Sequence, residues 1–320
     1  MTRVGAIDCG TNSIRLLVAD LVEPDGALTL REIERTMLTV RLGEGVDRTG
    51  RLDPAALERT FAAARQYADR CRELAVERVR FVATSASRDA ENAEEFTTGI
   101  ASILADWGVV PEVVAGSEEA HLSFVGATGG VAAAGYPAPY LVVDLGGGST
   151  EFVRGAGTVV AALSTDIGCV RLTERHLRSD PPTADEVTAA MHDVAAALDD
   201  AEAEVGFGGI ATLVGLAGSV TTVAAHALGL PAYDRDAIHL AELDPSVMEE
   251  SAIDLLERTR AERQELGFMH PGRVDVIGAG ALIWSRIVER VAAASGIAET
   301  RTSEHDILDG MALDLLDHAP

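Results

Sequence analysis

Short apolar runs alternate along this chain with longer stretches in which apolar residues recur at helical spacing. The opening predicts three strands, at Val4–Cys9, Ile14–Val22 and Ala27–Arg35. Asp53 and Pro54 then supply an N-cap and a first-turn proline for a helix. The chain therefore begins as a strand meander and turns to helix after about fifty residues.

The remainder of the first half alternates strand and helix. Val79–Ala83 and Val109–Val114 predict strands, a helix is expected after Asp89, and Ser117 is a candidate cap for another helix. Such alternation is typical of parallel sheets covered by helices.

The same design begins again near Pro139. The predicted strands of this half are Tyr140–Val143, Glu151–Val153, Thr158–Leu163 and Ala211–Leu216. The predicted helices are Ala184–Val205, one opening at Ser219, Ser246–Arg258, Val276–Ala294 and Ile307–Leu316. A length of 320 residues favours two domains, and the alternation indicates the α/β class.

An internal repeat links the two halves. AIDCGTNSIRLLV and VVDLGGGSTEFVR lie 136 residues apart. They match at Asp8/Asp144, Gly10/Gly146 and Ser13/Ser149. Both segments read as strand, turn and strand, which indicates duplicated lobes rather than a chance match.

The charged residues exclude several classes of protein. The formal charge is −25 and all 26 basic residues are arginine. Without lysine, a P-loop lysine, a kinase strand lysine and a Schiff base are excluded. The acidic balance also disfavours nucleic-acid binding, which depends on a basic surface.

The cysteines and the apolar segments bear on location. Cys9, Cys71 and Cys169 never form a CxxC spacing, which indicates a reducing compartment. Gly206–Tyr233 carries no formal charge over 28 residues, but its glycines and threonines favour a buried strand, a glycine turn and a helix over a membrane span. MTRVGAIDCG lacks a signal-peptide layout. We therefore expect a cytoplasmic protein that does not bind membranes.

Two glycine-containing turns could bind phosphate. Backbone N–H groups in such turns approach anions closely, and a hydroxyl adds a donor. The residues concerned are Gly10, Thr11, Asn12 and Ser13 in the first turn, and Gly146, Gly147, Gly148 and Ser149 in the second. Neither turn fits the dinucleotide or Walker pattern. Each alone is also compatible with an ordinary glycine hairpin, but an aspartate two residues before each glycine favours a functional pair.

Asp8 and Asp144 are hard oxygen ligands that suit Mg²⁺ bound by few protein groups, phosphate oxygens and water. The alternative for each is a turn aspartate that accepts backbone N–H bonds. The pattern of two such aspartates predicts a magnesium and phosphate site.

Seven segments resemble the exopolyphosphatase/guanosine-pentaphosphate phosphohydrolase family, in the family's order and over essentially the whole chain. They are IDCGTNSIRLLVAD, VATSASRDAENAEEF, VVAGSEEAHLSFVGA, VVDLGGGSTEFV, LSTDIGCVRLTE, HPGRVDVIGAGALI and SEHDILDGMAL. The resemblance implies an actin-like, ribonuclease-H-type fold with an active site in the cleft between two lobes.

The resemblance also implies lobes at 1–135 and 136–320, with the last helix, about 305–317, packing back on the first lobe. A homodimer is implied as well. Longer members carry a further C-terminal helical region that is absent from this sequence, so we expect a preference for short polyphosphate chains.

Roles follow from the family's motifs. The resemblance assigns the catalytic base to Glu119 and a phosphate contact to Arg88, and we expect Glu151 to support metal or water with Asp144. From position alone Glu118 is equally eligible as the base, and either glutamate could be a solvated residue of a helix's first turn.

Four further residues are weaker candidates. Gly218 and Ser219 would place a helix N-terminus beside an anion, although a plain helix cap fits equally. Arg171 and Arg273 are candidates for binding the phosphate chain, with structural ion pairs as the alternative.

The predicted function is Mg²⁺-dependent hydrolysis of the terminal phosphoryl group of inorganic polyphosphate. Guanosine-pentaphosphate hydrolysis uses the same parts and is the first alternative. A non-catalytic sensor of phosphate-rich ligands is the second, and an ATP-dependent kinase of the same fold is the third.

Overall fold

A computed structural model describes residues 2–22 and 29–315. Contacts between Cα atoms divide the chain into two compact units. Unit 1 comprises Met1–Gly126 and Ile307–Pro320, and unit 2 comprises Ala127–Asp306. The predicted boundary at 135/136 stays a prediction.

Unit 1 contains a five-stranded sheet. Its strands are β1 (Thr2–Cys9), β2 (Ser13–Val22), β3 (Thr29–Thr39), β4 (Arg78–Ala83) and β5 (Glu112–Val113). The order is β3-β2-β1-β4-β5, in which β1 to β3 are antiparallel neighbours and β4 and β5 run parallel to β1. The carboxyl ends of β1, β4 and β5 therefore meet at one edge.

The helices of the first part of the chain cover this sheet. They are α1 (Val46–Thr49), α2 (Pro54–Glu73), α3 (Ser85–Arg88), α4 (Ala93–Ile103) and α5 (Gly116–Ala133). The predicted start of α2 is confirmed, because the Asp53 carboxylate accepts bonds from the amides of Ala55 and Ala56 and Pro54 follows it. Apolar side chains of the sheet and the helices form the core of unit 1, including Ile7, Ile14, Leu16, Phe81 and Phe96.

Unit 2 contains a six-stranded sheet. Its strands are β6 (Tyr140–Leu145), β7 (Thr150–Gly155), β8 (Val159–Thr165), β9 (Thr212–Leu216), β10 (Glu242–Leu243) and β11 (Thr300–Thr302). Its helices are α6 (Cys169–Arg175), α7 (Ala184–Val205), α8 (Ala217–Ala227), α9 (Arg235–Ile238), α10 (Pro245–Glu257), α11 (Arg260–Gln264) and α12 (Ile277–Ser295).

The two sheets share one strand order. The second runs β8-β7-β6-β9-β11, with short β10 beyond, and reproduces β3-β2-β1-β4-β5 of the first. In both, an antiparallel meander is followed by strands parallel to its first member. This is the ribonuclease-H-type arrangement, so the predicted duplicated α/β fold is confirmed.

The last helix, α13 (Ile307–Asp314), belongs to unit 1 and packs on β1, β2 and β3. The Arg35 guanidinium donates to both Asp309 oxygens at 2.7 and 2.8 Å. A β-carbon on Gly310 would lie 2.0 Å from the Leu122 carbonyl oxygen, so the backbones of α13 and α5 are in direct contact. The predicted end of this helix at 316 and 317 lies outside the described residues.

Some predicted boundaries are wrong. β3 continues to Thr39, beyond Arg35, because Ser13 and Thr39 still pair in the β2–β3 ladder. Residues 27 and 28 of that prediction are not among those described. The predicted strand Val109–Val114 shrinks to two residues, since Pro111 has no amide to donate. Two helices start earlier than predicted, at Gly116 rather than Ser117 and at Ala217 rather than Ser219.

The uncharged segment Gly206–Tyr233 forms β9 and α8, as predicted. Within residues 2–22 and 29–315, no helix combines the length and apolar character needed to cross a membrane.

Candidate functional site

The two glycine-containing turns close in the same way. The Gly10 amide donates to the Ser13 carbonyl at 2.9 Å, and the Gly146 amide donates to the Ser149 carbonyl at 3.0 Å. Each turn joins antiparallel strands and directly follows the first strand of its sheet. The repeat seen in the sequence is therefore a repeat of backbone geometry.

The first turn is held by its surroundings. The Thr11 hydroxyl lies 2.9 Å from the Ser85 hydroxyl at the start of α3. The amides of Val40 and Arg41 donate to the Asn12 carbonyl at 3.1 and 2.9 Å. A β-carbon on Gly43 would lie only 2.3 Å from the Thr11 side chain. These contacts fix the turn in place.

Asp8 is the penultimate residue of β1, and its carboxylate is buried, at 3% exposure. It lies opposite Arg15 in the β1–β2 ladder, and the Arg15 guanidinium donates to Asp8 Oδ2 through Nε at 2.9 Å and Nη2 at 2.6 Å. The charge of Asp8 is thus balanced by an arginine on the neighbouring strand.

Glu119 lies in the first turn of α5 and is 8% exposed. Arg88 Nη1 lies 3.4 Å from Glu119 Oε2 and donates to the Val114 carbonyl at 2.9 Å. The side chain of Glu118, by contrast, is 47% exposed. Burial beside an arginine therefore distinguishes Glu119 from its neighbour, which the sequence position alone did not.

In unit 2, Asp144 lies opposite Glu151 in the β6–β7 ladder. Both carboxylates are buried, Glu151 at 1% exposure. The Ser164 hydroxyl of β8 donates to Glu151 Oε1 at 2.7 Å and fixes its orientation. Sequence reasoning missed Ser164. Its signal lay in the strand register, because Ser164 and Glu151 are paired across β7 and β8.

The second turn contacts the N-terminus of α6. The amides of Cys169 and Val170 donate to the carbonyls of Gly146 and Gly147 at 3.0 and 2.9 Å. A β-carbon on Gly168 would lie 2.4 Å from the Gly147 oxygen, so only glycine fits this approach. These bonds orient the carbonyls of the turn toward α6.

Gly218, Ser219 and Arg273 lie together at the start of α8. A β-carbon on Gly218 would lie 2.2 Å from the Arg273 guanidinium carbon, so the guanidinium rests directly on the backbone. Arg273 Nη1 also donates to the Thr222 hydroxyl at 3.2 Å. Arg171 lies 3.6 Å from the exposed carboxylate of Asp166.

The cysteines near these turns are not poised as nucleophiles. Burial, and then the Asp8 charge, raise the pKa of the Cys9 thiol well above its ordinary value. Burial also raises the pKa of Cys169, although Ser219 and Arg273 oppose the shift. Neutral buried thiols are poor nucleophiles.

Contacts link the candidate residues within each unit. In unit 1 a series of contacts runs from Thr11 to Ser85, through the single turn of α3 to Arg88, and on to Glu119. In unit 2, Gly280 of α12 stands between α6, whose first residues bond to the second turn, and α8, since its β-carbon would lie 2.3 Å from Ser219 Oγ and 3.3 Å from Cys169 Cβ. Whether the two groups share one cleft stays a prediction.

The residues fit a cation held mainly by substrate. Among the described residues, no group of three or more histidine, cysteine, aspartate or glutamate side chains could bind a metal. Asp144 and Glu151 supply two neighbouring carboxylates, and Mg²⁺ needs only one or two when phosphate oxygens and water complete its shell. Asp8 is paired with Arg15 through Oδ2, and its predicted role as a metal ligand stays a prediction.

Comparison with known proteins identifies relatives over the full length. Exopolyphosphatase 2 of Mycobacterium tuberculosis is 49% identical over 98% of this chain and 99% of its own length. The crystal structure of an exopolyphosphatase-like protein has a TM-score of 0.92 and 45% identity over 98% of both chains. A Ppx/GppA family member from Aquifex aeolicus has a TM-score of 0.78 and 31% identity, covering 100% of this chain and 99% of its own.

The model of the Ppx/GppA phosphatase family matches residues 21–315. Phosphatases of this family generally depend on a divalent metal. With nearly the whole chain matched and a shared fold, this chain belongs to the Ppx/GppA phosphatase family.

Proposed function

We propose that this protein is an exopolyphosphatase that releases orthophosphate from the end of inorganic polyphosphate. The observation that carries the proposal is Glu119, a buried carboxylate in the first turn of α5 and in contact with Arg88. The full-length similarity of this chain to Exopolyphosphatase 2 supports the choice of substrate.

The proposed reaction needs one base and an array of donors. Glu119 orients a water molecule and accepts its proton as the water oxygen attacks the terminal phosphorus. The bridging P–O bond breaks, and the shortened chain leaves with that oxygen. Arg88 contributes N–H donors to the terminal phosphoryl oxygens.

In this proposal the two glycine-containing turns bind the polyphosphate chain. The amides of Gly10 and Gly146 close their own turns, so amides and hydroxyls of residues 11–13 and 147–149 donate to phosphate oxygens. The N-terminus of α8 with Arg273 adds a further anion contact. Mg²⁺ held by Asp144 and Glu151 would neutralise phosphate charge when bound.

The decisive experiment compares wild type with Glu119→Gln, measuring phosphate release from polyphosphate with and without Mg²⁺. Loss of a general base lowers kcat by about 10²- to 10⁴-fold. Binding of polyphosphate should persist, since the donors remain. Glu118→Gln is the matched control. Its kcat should fall by less than about tenfold, because Glu118 is half-exposed and its described ion pair is with Arg80 rather than Arg88.

Other outcomes identify the alternatives. A wild-type protein that binds polyphosphate without releasing phosphate would be a sensor. Phosphate transfer from ATP to an acceptor would indicate a kinase. Guanosine pentaphosphate is measured side by side because the family is named for both phosphatase types, and a higher kcat/KM on the nucleotide would make it the substrate.

Three further properties belong to the proposal. We propose Mg²⁺ as the metal because of the carboxylate ligands, a homodimer as the assembly because of the family resemblance, and the cytoplasm as the location because of the cysteine usage. Activity with Mg²⁺ against Mn²⁺ and Ca²⁺ tests the first, sedimentation velocity the second and cell fractionation the third.

A further inference from the structure

Arg80 forms an ion cluster in unit 1 with carboxylates from three different elements. It lies in the middle of β4, and its side chain is 10% exposed. Its Nε and Nη2 donate to both Glu112 oxygens at 3.0 and 2.9 Å, and its Nη1 donates to Asp314 Oδ2 at 2.6 Å. Its Nη2 also lies 3.7 Å from Glu118 Oε1.

These partners lie on both sides of one loop. Glu112 is on β5, just before the loop 114–117, and Glu118 follows that loop in the first turn of α5. Arg88, the last residue of α3, contacts the same segment through the Val114 carbonyl and Glu119. Two arginines from one short stretch of chain thus hold two consecutive glutamates.

The third partner of Arg80 lies on the last helix, α13. Asp314 ends α13, and the backbone of α13 touches that of α5 at Gly310 and Leu122. Burial lowers the pKa of Arg80, but Glu112, Asp314 and Glu118 outweigh it and raise that pKa above its ordinary value. The guanidinium therefore stays charged at the junction of β5, α5 and α13.

We propose that Arg80 is a positioning residue for hydrolysis: by binding Glu112, Glu118 and Asp314 it fixes the loop 114–117 and the first turn of α5, and so sets the position of the Glu119 carboxylate. Arg80 itself touches no reacting atom. The inference rests on the proposed role of Glu119. A displacement of a catalytic group by about 1 Å costs on the order of 10²-fold in rate.

The test measures kcat and KM on polyphosphate for Arg80→Gln and Arg80→Lys. We expect Arg80→Gln to lower kcat about tenfold while KM stays within about threefold, because the base is misplaced and the phosphate donors are not. Arg80→Lys should recover part of the loss, since lysine keeps the charge but not the two-pronged contact with Glu112.

Arg35→Gln is the matched control. Arg35 is also buried in an ion cluster, at 12% side-chain exposure, and pairs with Glu32 of its own strand and Asp309 of α13, which both lie outside the loop 114–117. Its loss should lower the melting temperature and leave kcat within about twofold. Equal losses of kcat in Arg35→Gln and Arg80→Gln would mean that both arginines only stabilise the fold, and would overturn the inference.

Hydrogen exchange supplies a readout independent of turnover. Amides of residues 114–120 should exchange faster in Arg80→Gln than in the wild type, and at the wild-type rate in Arg35→Gln. Wild-type exchange rates in both variants would also overturn the inference. If Arg80→Gln fails to fold, Glu118→Gln replaces it, with an expected loss of kcat of about threefold at constant KM. Unchanged kcat in Glu118→Gln counts against the inference. Failure of the proposed function would appear elsewhere, as hydrolysis retained by Glu119→Gln.

Discussion

The first and second hairpins share one backbone geometry but differ in the charge of the residue opposite the aspartate. Asp8 faces Arg15 across β1 and β2, whereas Asp144 faces Glu151 at the equivalent position of β6 and β7. The first hairpin therefore presents a balanced ion pair, and the second presents two adjacent buried carboxylates. Duplication preserved the shape of the turn, while the residue opposite the aspartate is an arginine in one hairpin and a glutamate in the other.

This difference indicates a division of labour. A carboxylate balanced by arginine does not repel phosphate, so the first turn is suited to contact the substrate directly. Two neighbouring carboxylates are suited to a hard cation. We propose that a metal, when bound, is held by the carboxylates of unit 2 and that Glu119 of unit 1 supplies the base.

The largest expected effect comes from removing the second carboxylate of unit 2. Glu151→Gln keeps the shape and the bond from Ser164 but halves the charge available to a cation. We expect phosphate release to fall about 100-fold at fixed Mg²⁺ and the half-saturating Mg²⁺ concentration to rise, since loss of a ligand weakens binding. The measurement is a Mg²⁺ titration of activity. An unchanged half-saturating concentration would break the assignment of the metal to this hairpin.

The next effect concerns the ion pair of unit 1. Arg15→Gln leaves Asp8 buried without its guanidinium, which costs about 3 kcal/mol of unfolding free energy for a buried pair. Urea unfolding measures this loss. The double variant Asp8→Asn with Arg15→Gln should regain most of it, because no buried charge is left. Equal losses in the single and double variants would show that the pairing does not matter.

The smallest effect is a pH dependence confined to the first hairpin. Arg3 and then Arg31 lower the pKa of Asp20 to about 2, although burial opposes them. A lowered folded-state pKa means that Asp20 stabilises the fold fully above the unfolded value near 4 and loses this contribution as the pH falls toward 2.

Melting temperatures between pH 5 and pH 2 provide the measurement. The wild type should lose more stability across this range than Asp20→Asn, which has no carboxylate to protonate. The position 136 residues further along the chain is Ala156, which has no carboxylate to protonate. Parallel pH curves for the wild type and Asp20→Asn would contradict the prediction.

Local sequence patterns predicted most of the fold. The repeat of Asp, Gly and Ser predicted two equivalent hairpins, and α7 begins and ends where its pattern placed it. Boundaries failed where tertiary pairing outweighed local signals, as in β3, which continues because β2 offers it partners. The charged residues of β3 are typical of a strand at the edge of a sheet and do not mark the end of the strand.

The site was less accessible to sequence reasoning than the fold. Glu118 and Glu119 are indistinguishable by position, and only packing buries one of them against Arg88. Arg80 belongs to no motif, and Ser164 lies in the LSTDIGCVRLTE segment without a role assigned to it; both matter because strand register and helix packing bring distant carboxylates to them. Such contacts join residues far apart in sequence, and no local pattern encodes them.

The glycine at 310 limits how unit 1 can change shape. With its α-carbon pressed against a carbonyl of α5, no side chain fits between the two helices, and neither can tilt without separating from the other. A larger residue at position 310 would therefore force α13 away from α5, the helix whose first turn carries Glu119.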